Sequence, residues 1–258
     1  MRTDAPVRPG LLSSDEAAAL RAWTSEIEAW PAGSHVWGHY AEHTANGPRI
    51  CRTENVSACH DGVAALVAGT LGACAADALG EPAVAFKDKI NYKQPGGAGF
   101  SPHQDKVAYP GAGRVVSLLV AIDDCSVESG CLWMAAGVDA VLPVDDRGVV
   151  RADATDPLEW FAVELAAGDA VCIDGLAPHY SETNRGDSAR RVLVASYAPA
   201  AEGYTRADYY ARRADRMQRE TERDGRFRIS TLADFDGAEV TPDHAATDAC
   251  THPRASRH

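Results

Sequence analysis

Two kinds of apolar spacing divide the chain. Residues 13 to 30 carry Leu20, Trp23, Ile27 and Trp30 three or four apart, the period of one helix face. Ser13 followed by Glu16 forms a capping box at the front of that run, so the pattern predicts an amphipathic helix whose tryptophans belong to a core. Residues 61 to 79 repeat the spacing with Val63, Leu66, Val67, Leu71, Cys74, Ala75 and Ala78, and Gly80 supplies the stop. Residues 34 to 60 lie between the two and show little periodicity. They are rich in functional side chains, including His35, Tyr40, Glu42, His43, Arg49, Arg52, Glu54, Asn55 and His60, and they read as a loop-rich flap.

From about 84 to 199 the pattern changes to short apolar or alternating runs. These are Val84 to Tyr92, Val115 to Ile122, Cys131 to Ala135, Trp160 to Leu165, Ala170 to Ile173 and Arg191 to Tyr197. Several short strands at regular spacing argue for a barrel or jelly roll. Tyr204 to Arg223 reads as a charged surface helix. The expected organisation is one domain, with helices and flap over 1–83, a β core over 84–200, a C-terminal helix over 201–235 and a disordered tail over 236–258.

Composition narrows the class. A chain of 258 residues with 45% hydrophobic content buries a sizeable core. A net charge of −12 argues against a nucleic-acid partner. The first residues hold no apolar leader, no uncharged run reads as a membrane span, and seven cysteines without a Cys-x-x-Cys spacing suggest thiols in a reducing cytoplasm. Positive charge is unevenly placed. Every lysine, Lys87, Lys89, Lys93 and Lys106, falls within twenty residues, and arginine serves elsewhere. Lys87, Lys89, Asn91 and Lys93 share one parity, so a strand would put them on one face, with Phe86, Ile90 and Tyr92 on the other.

Chemistry concentrates at His103-Gln104-Asp105 and His179. A His-x-Asp pair with one distant histidine makes a facial triad, which occupies three positions of Fe(II) and leaves the others for a cosubstrate and O₂. A Gly-rich turn, Pro95 to Gly99, precedes the pair, and His179 lies between a strand-like run and a polar turn. Arg190 follows eleven positions after His179, and a guanidinium fork suits the carboxylate of an acidic cosubstrate.

These residues, with Val127 to Trp133, Tyr180, Ser181 and Asn184, resemble the phytanoyl-CoA dioxygenase family of Fe(II)/2-oxoglutarate oxygenases over most of residues 34 to 215. Phe86 to Gly97 and Arg49 to Asn55 are most similar to its bacterial branch that hydroxylates small alkylphosphonates. The resemblance implies a mostly β protein with flanking helices, folded as a double-stranded β-helix (jelly roll, cupin-like). It implies iron ligation by His103, Asp105 and His179, and 2-oxoglutarate binding by Arg190, Ser181, Gln104, Asn91 and Lys93. Lys87, Lys89, Arg52, Glu54, Asn55 and Tyr40 are the expected substrate contacts, with Glu54 available for an amino group. The chain departs from many relatives at Ala136 to Asp139 and at Tyr180.

Fe(II), 2-oxoglutarate and O₂ would then serve hydroxylation of an unactivated C–H in a small anionic or zwitterionic metabolite, such as an aminoalkylphosphonate. Two other readings share parts of this pattern. One places hydroxylation, desaturation or cyclisation on a natural-product intermediate. The other is a cupin-like metal protein without 2-oxoglutarate, against which Arg190 argues, because such a protein has no need of an arginine at that offset.

Overall fold

The computed structural model describes residues 7–31, 37–44, 47–224 and 237–239. In chain order its elements begin with β1 (Val7–Arg8), α1 (Ser14–Glu28), β2 (Gly38–Thr44), β3 (Gly47–Glu54), α2 (Asp61–Ala68) and α3 (Thr70–Leu79). Next come β4 (Ala83–Lys93), β5 (Phe100–His103), α4 (Asp105–Ala108), β6 (Val116–Ala121), β7 (Leu132–Ala135), α5 (Ala152–Thr155) and β8 (Trp160–Val163). The last are β9 (Ala170–Asp174), β10 (His179–Ser181), β11 (Arg190–Pro199), α6 (Arg206–Asp224) and β12 (Gly237–Glu239). Strands β4 to β11 divide between two antiparallel sheets, β9-β6-β11-β4 within the larger and β5-β10-β7-β8 forming the smaller. This is a double-stranded β-helix.

The larger sheet is covered on both faces, which explains why its strands read as nearly continuous apolar runs. On the outer face, Leu20, Ile27, Val63, Leu71 and Ala75 of the helices meet Ile90, Tyr92, Leu118 and Leu193. On the inner face, Leu119, Ala121, Ile173, Val192 and Val194 meet Leu132, Met134 and Val163 of the smaller sheet. The capping box forms as expected, with Ser13 and Glu16 each bonded to the other's backbone.

Several expectations need correction. Within the flap expected over 34 to 60, Gly38–Thr44 and Gly47–Glu54 are strands instead: β2 and β3 extend the larger sheet, through Arg52↔Asn91 and Glu54↔Lys89. The helix expected over 61 to 79 breaks at Gly69. By length and composition Asp61–Leu79 could cross a membrane, contrary to expectation, but Val63, Leu66, Val67, Leu71 and Ala75 are buried in the core. Phe86 does not share a face with Ile90 and Tyr92. A β-bulge sets Lys87 against Ser196 and Ala85 against Tyr197, which turns Phe86 toward Tyr109, Tyr204 and Tyr209. Cys51, Cys74, Cys125, Cys131 and Cys172 are free thiols, whereas Cys59 is disulfide-bonded. Of the tail expected over 236–258, Gly237–Glu239 is a strand paired with β2, and the rest lies outside the described residues.

Candidate metal and cosubstrate site

Short strands bring the three ligands together. His103 ends β5 and His179 begins β10, and the two are direct partners in the smaller sheet, with ring centroids 4.2 Å apart. Asp105 opens α4 just after β5. Ligand atoms of His103, Asp105 and His179 lie within 4.8 Å of one another.

The surroundings prepare these groups for a metal. His103 Nδ1 donates to the Ser101 carbonyl at 2.7 Å and His179 Nδ1 to the Ala177 carbonyl at 3.0 Å. Each bond selects the tautomer that leaves Nε2 as a lone-pair donor. Burial, and then the neighbouring His179, push the His103 pKa down to about 3, so its ring stays neutral. Burial opposes the charge of Asp105, but its neighbours, chiefly His179 and Lys87, outweigh it and hold the carboxyl well below the usual range. The Ser117 hydroxyl donates to Asp105 Oδ2 at 2.6 Å and meets Ser196 Oγ at 2.9 Å. Two imidazoles, each with Nδ1 bonded to a carbonyl, and one carboxylate suit Fe(II), so the donor set fits the metal that the motif implies.

The three ligands open into a pocket between the sheets, which Arg190, Lys93, Ser181, Asn91, Lys89, Arg52, Phe100 and Glu42 also line. Arg190 is 5% exposed; one guanidinium nitrogen donates to the Gly130 carbonyl at 2.6 Å, and its Nε has no hydrogen-bond partner. Lys93, opposite Arg190 in register, donates to Ser181 Oγ at 2.8 Å and to the carbonyls of Gly130 and Glu182. Burial and the adjacent Arg190 push the Lys93 pKa down to about 6. Two buried basic groups side by side, one with an orphaned N–H, fit a carboxylate such as the distal one of 2-oxoglutarate, whose charge would hold both protonated. Arg191, one residue on, points the other way and pairs with Asp123 at 2.7 Å.

Expected substrate contacts separate into two groups. Lys89 lines the pocket, lies 5.9 Å from the Phe100 ring centroid, and makes no hydrogen bond or ion pair among the described residues. Burial, then Arg52 and Lys87, lower its pKa well below the usual lysine value. Arg52 lies beside it, donating to Asn91 Oδ1 at 3.2 Å and stacking over Phe100.

The remaining contacts do not reach the pocket wall. Glu54 is 2% exposed and held between Arg52 Nη1 at 3.2 Å and Arg213 Nε at 2.6 Å. The second contact is an ion pair by distance, without the alignment of a hydrogen bond. Glu54 is therefore spent on arginines, which keep its pKa down to about 2 against the pull of burial. Lys87 donates to Tyr109 Oη at 2.6 Å. Asn55 sits in a left-handed turn and accepts from Arg206 at 2.7 Å. Tyr40 packs under the Arg213 guanidinium. Gln104, expected at the cosubstrate, instead bonds the backbone of Ala140, Leu142 and Leu176, pinning two loops together.

Three residues went unassigned by pattern alone. Ser117 is a lone hydroxyl in the apolar run Val116–Ala121, and that polarity was its signal. Glu42 is a buried acid among the polar side chains of β2. Arg213 lies on a helix that reads as fully solvated, and nothing in the pattern marks it.

A double-stranded β-helix that holds two histidines and an aspartate at one end, with a buried arginine beside them, defines an iron- and 2-oxoglutarate-dependent oxygenase. Comparison with known proteins narrows this class. Residues 6–192 match the phytanoyl-CoA dioxygenase (PhyH) family model, and the chain belongs to that family. It is 38% identical to a methylphosphonate hydroxylase of Gimesia maris, over 89% of this chain and 90% of the relative. It is 34% identical to a 2-aminoethylphosphonate dioxygenase of the uncultured bacterium HF130_AEPn_1, over 83% and 84% of the two chains. Among solved structures, EvdO2 from Micromonospora carbonacea with 2-oxoglutarate superposes with a TM-score of 0.59 at 25% identity, covering 75% of this chain and 85% of that one. EctD from S. alaskensis shares the fold at a TM-score of 0.65 and 20% identity, over 78% and 79%.

Proposed function

We propose that this oxygenase hydroxylates a C–H bond of a small phosphonate. In this reading His103, Asp105 and His179 hold Fe(II), while Arg190, Ser181 and Lys93 hold the distal carboxylate of 2-oxoglutarate. Bound iron and cosubstrate supply the redox chemistry, in which O₂ and 2-oxoglutarate become succinate and CO₂ as one oxygen atom enters the substrate. The protein supplies position and charge.

One observation carries the substrate class. Lys89 brings into the pocket, beside Arg52 and on the same strand face as Lys93, an amine with no ion-pair partner among the described residues. Four residues of strand separate the two lysines, about 13 Å at ~3.3 Å per residue. The pocket therefore has two cationic ends: Lys93 and Arg190 can take the cosubstrate, and Lys89 with Arg52 can take a second anion. A dianionic phosphonate would supply the charge that holds Lys89 protonated and pairs with it. The names of the two relatives, a methylphosphonate hydroxylase and a 2-aminoethylphosphonate dioxygenase, support the same reading.

The test is succinate release with Fe(II) and 2-oxoglutarate across methylphosphonate, 2-aminoethylphosphonate and uncharged scaffolds, in the parent and in Lys89→Met. We expect turnover of a phosphonate. The variant should raise the KM for that phosphonate roughly tenfold or more while changing the KM for 2-oxoglutarate far less, because one charge-assisted contact is lost. Efficient turnover of an uncharged scaffold with no response to phosphonates would replace this reading with the natural-product one.

A further inference from the structure

We propose that Glu42 is a specificity-determining residue of the pocket, its carboxylate receiving the ammonium group of an aminoalkylphosphonate. This rests on the phosphonate reading above and extends it to the other end of the substrate.

Among the described residues, the acids that line the pocket are Glu42 and Asp105. Asp105 belongs to the metal triad. Glu42 is 4% exposed, yet among the described residues it has no ion-pair partner. Its Oε2 accepts the backbone N–H of Ala98 at 3.3 Å, and Oε1 has no hydrogen-bond partner there. The other buried acids among the described residues are compensated. Glu54 has two arginines, and Asp88 has the Ser57 hydroxyl and Arg206. Glu42 alone in this comparison faces a cavity with a lone pair to spare. Burial raises its pKa, with the Ala98 N–H and Lys93 opposing. A carboxylate removed from water without a cation is costly, and a ligand that brings its own cation relieves that cost.

The position also resolves a difficulty. An amino group on the substrate needs an acceptor, and Glu54 is already committed to Arg52 and Arg213. Glu42 on β2 lies on the wall of the same pocket and is uncommitted. A purely structural role would be to hold the turn that follows β4 through the Ala98 amide. Glutamine preserves that acceptor while removing the charge, so Glu42→Gln separates the two roles.

The experiment compares 2-aminoethylphosphonate with ethylphosphonate, which lacks only the amine, using the iron-loaded enzyme with 2-oxoglutarate. The parent enzyme should favour 2-aminoethylphosphonate in kcat/KM. In Glu42→Gln that preference should fall at least tenfold, chiefly through the KM of the amine. The parent alone already tests the idea, whatever the variant's stability: a preference for ethylphosphonate overturns it. Equal losses on both probes in the variant also overturn it, as a structural role would produce. Turnover of neither of these nor of methylphosphonate by the parent would sink the phosphonate reading itself, whereas turnover of ethylphosphonate but not of 2-aminoethylphosphonate sinks only the role of Glu42.

Discussion

One hydroxyl orients the carboxylate of the metal site. Ser117 is fully buried, and it bonds Asp105 Oδ2, a carboxylate that lies in one cluster with His103 and His179. Ser196 in turn fixes Ser117, so the orientation is set by the packed centre of the larger sheet rather than by a loop. Ser117→Ala removes the donor while keeping the strand. We expect Fe(II) affinity to fall about 10–100-fold, the usual effect of losing a partner of a metal ligand. Anaerobic Fe(II) titration reads this directly, and Ser117→Thr should restore most of it. Unchanged affinity in the alanine variant would show that Asp105 is oriented by its own backbone. The serine could be suspected from its polarity in an apolar strand, but its partner could not, because Asp105 and Ser117 lie on different elements.

At the scale of elements, α6 is the least expected contributor. Its composition reads as a solvated helix, yet Arg213 is 6% exposed and reaches Glu54 behind the substrate wall. Removing that guanidinium leaves Glu54 with Arg52 alone. Breaking a buried pair typically costs about 3–5 kcal/mol, and the remaining arginine puts Arg213→Met at the lower end. Urea unfolding measures this loss, and a higher KM for the phosphonate should accompany it as Arg52 is drawn toward Glu54. The same cluster predicts a pH effect. The pKa of Glu54 lies at about 2 in the fold against 4.5 ordinarily. Its ionisation therefore adds stability that is fully present above pH 4.5 and lost as pH falls toward 2. Urea midpoints across that window should fall less steeply in Glu54→Gln than in the parent.

Element patterns also show where periodicity stops being informative. β6 and β11 were readable because both of their faces are covered by apolar partners, and β4 because its polar and apolar residues alternate. β2 and β3 were not, because they turn Glu42, Arg52 and Glu54 inward, where an apolar face would be expected. β5 and β10 span four and three residues, too few to display a period. The bulge near Phe86 arises from how β4 pairs with β11, so the parity rule failed there while holding for Lys89, Asn91 and Lys93.

For the whole molecule, the larger sheet separates two apolar cores. Helices α1 to α3 buttress its outer face, and the pocket lies on its inner face. Stability and chemistry are therefore separable. Leu71 is fully buried in the outer core, and Leu71→Ala should cost about 2–5 kcal/mol through lost burial and a residual cavity. Affinity for Fe(II) with 2-oxoglutarate should stay within about twofold of the parent by anaerobic titration, since a factor of ten would need ~1.4 kcal/mol transmitted across the sheet. A marked loss of both together would show that the helical layer shapes the pocket.

The sequence by itself located the cluster of His103, Asp105 and His179, the position of Arg190, the jelly-roll core and the lysine-bearing face of β4, because each rests on local spacing: a two-residue step, an eleven-residue offset, or an alternation along one strand. Tertiary structure alone decided which polar groups remain available to a ligand. Glu54, Gln104, Asn55 and Lys87 have the right chemistry and lie in the right segments, but Arg213, the loop carbonyls, Arg206 and Tyr109 occupy them. Lys89 and Glu42 have no ion-pair partner among the described residues. The physical reason is that a buried polar group is defined by its partner, and partners here come from elements far apart in the chain and adjacent only once the sheets have closed.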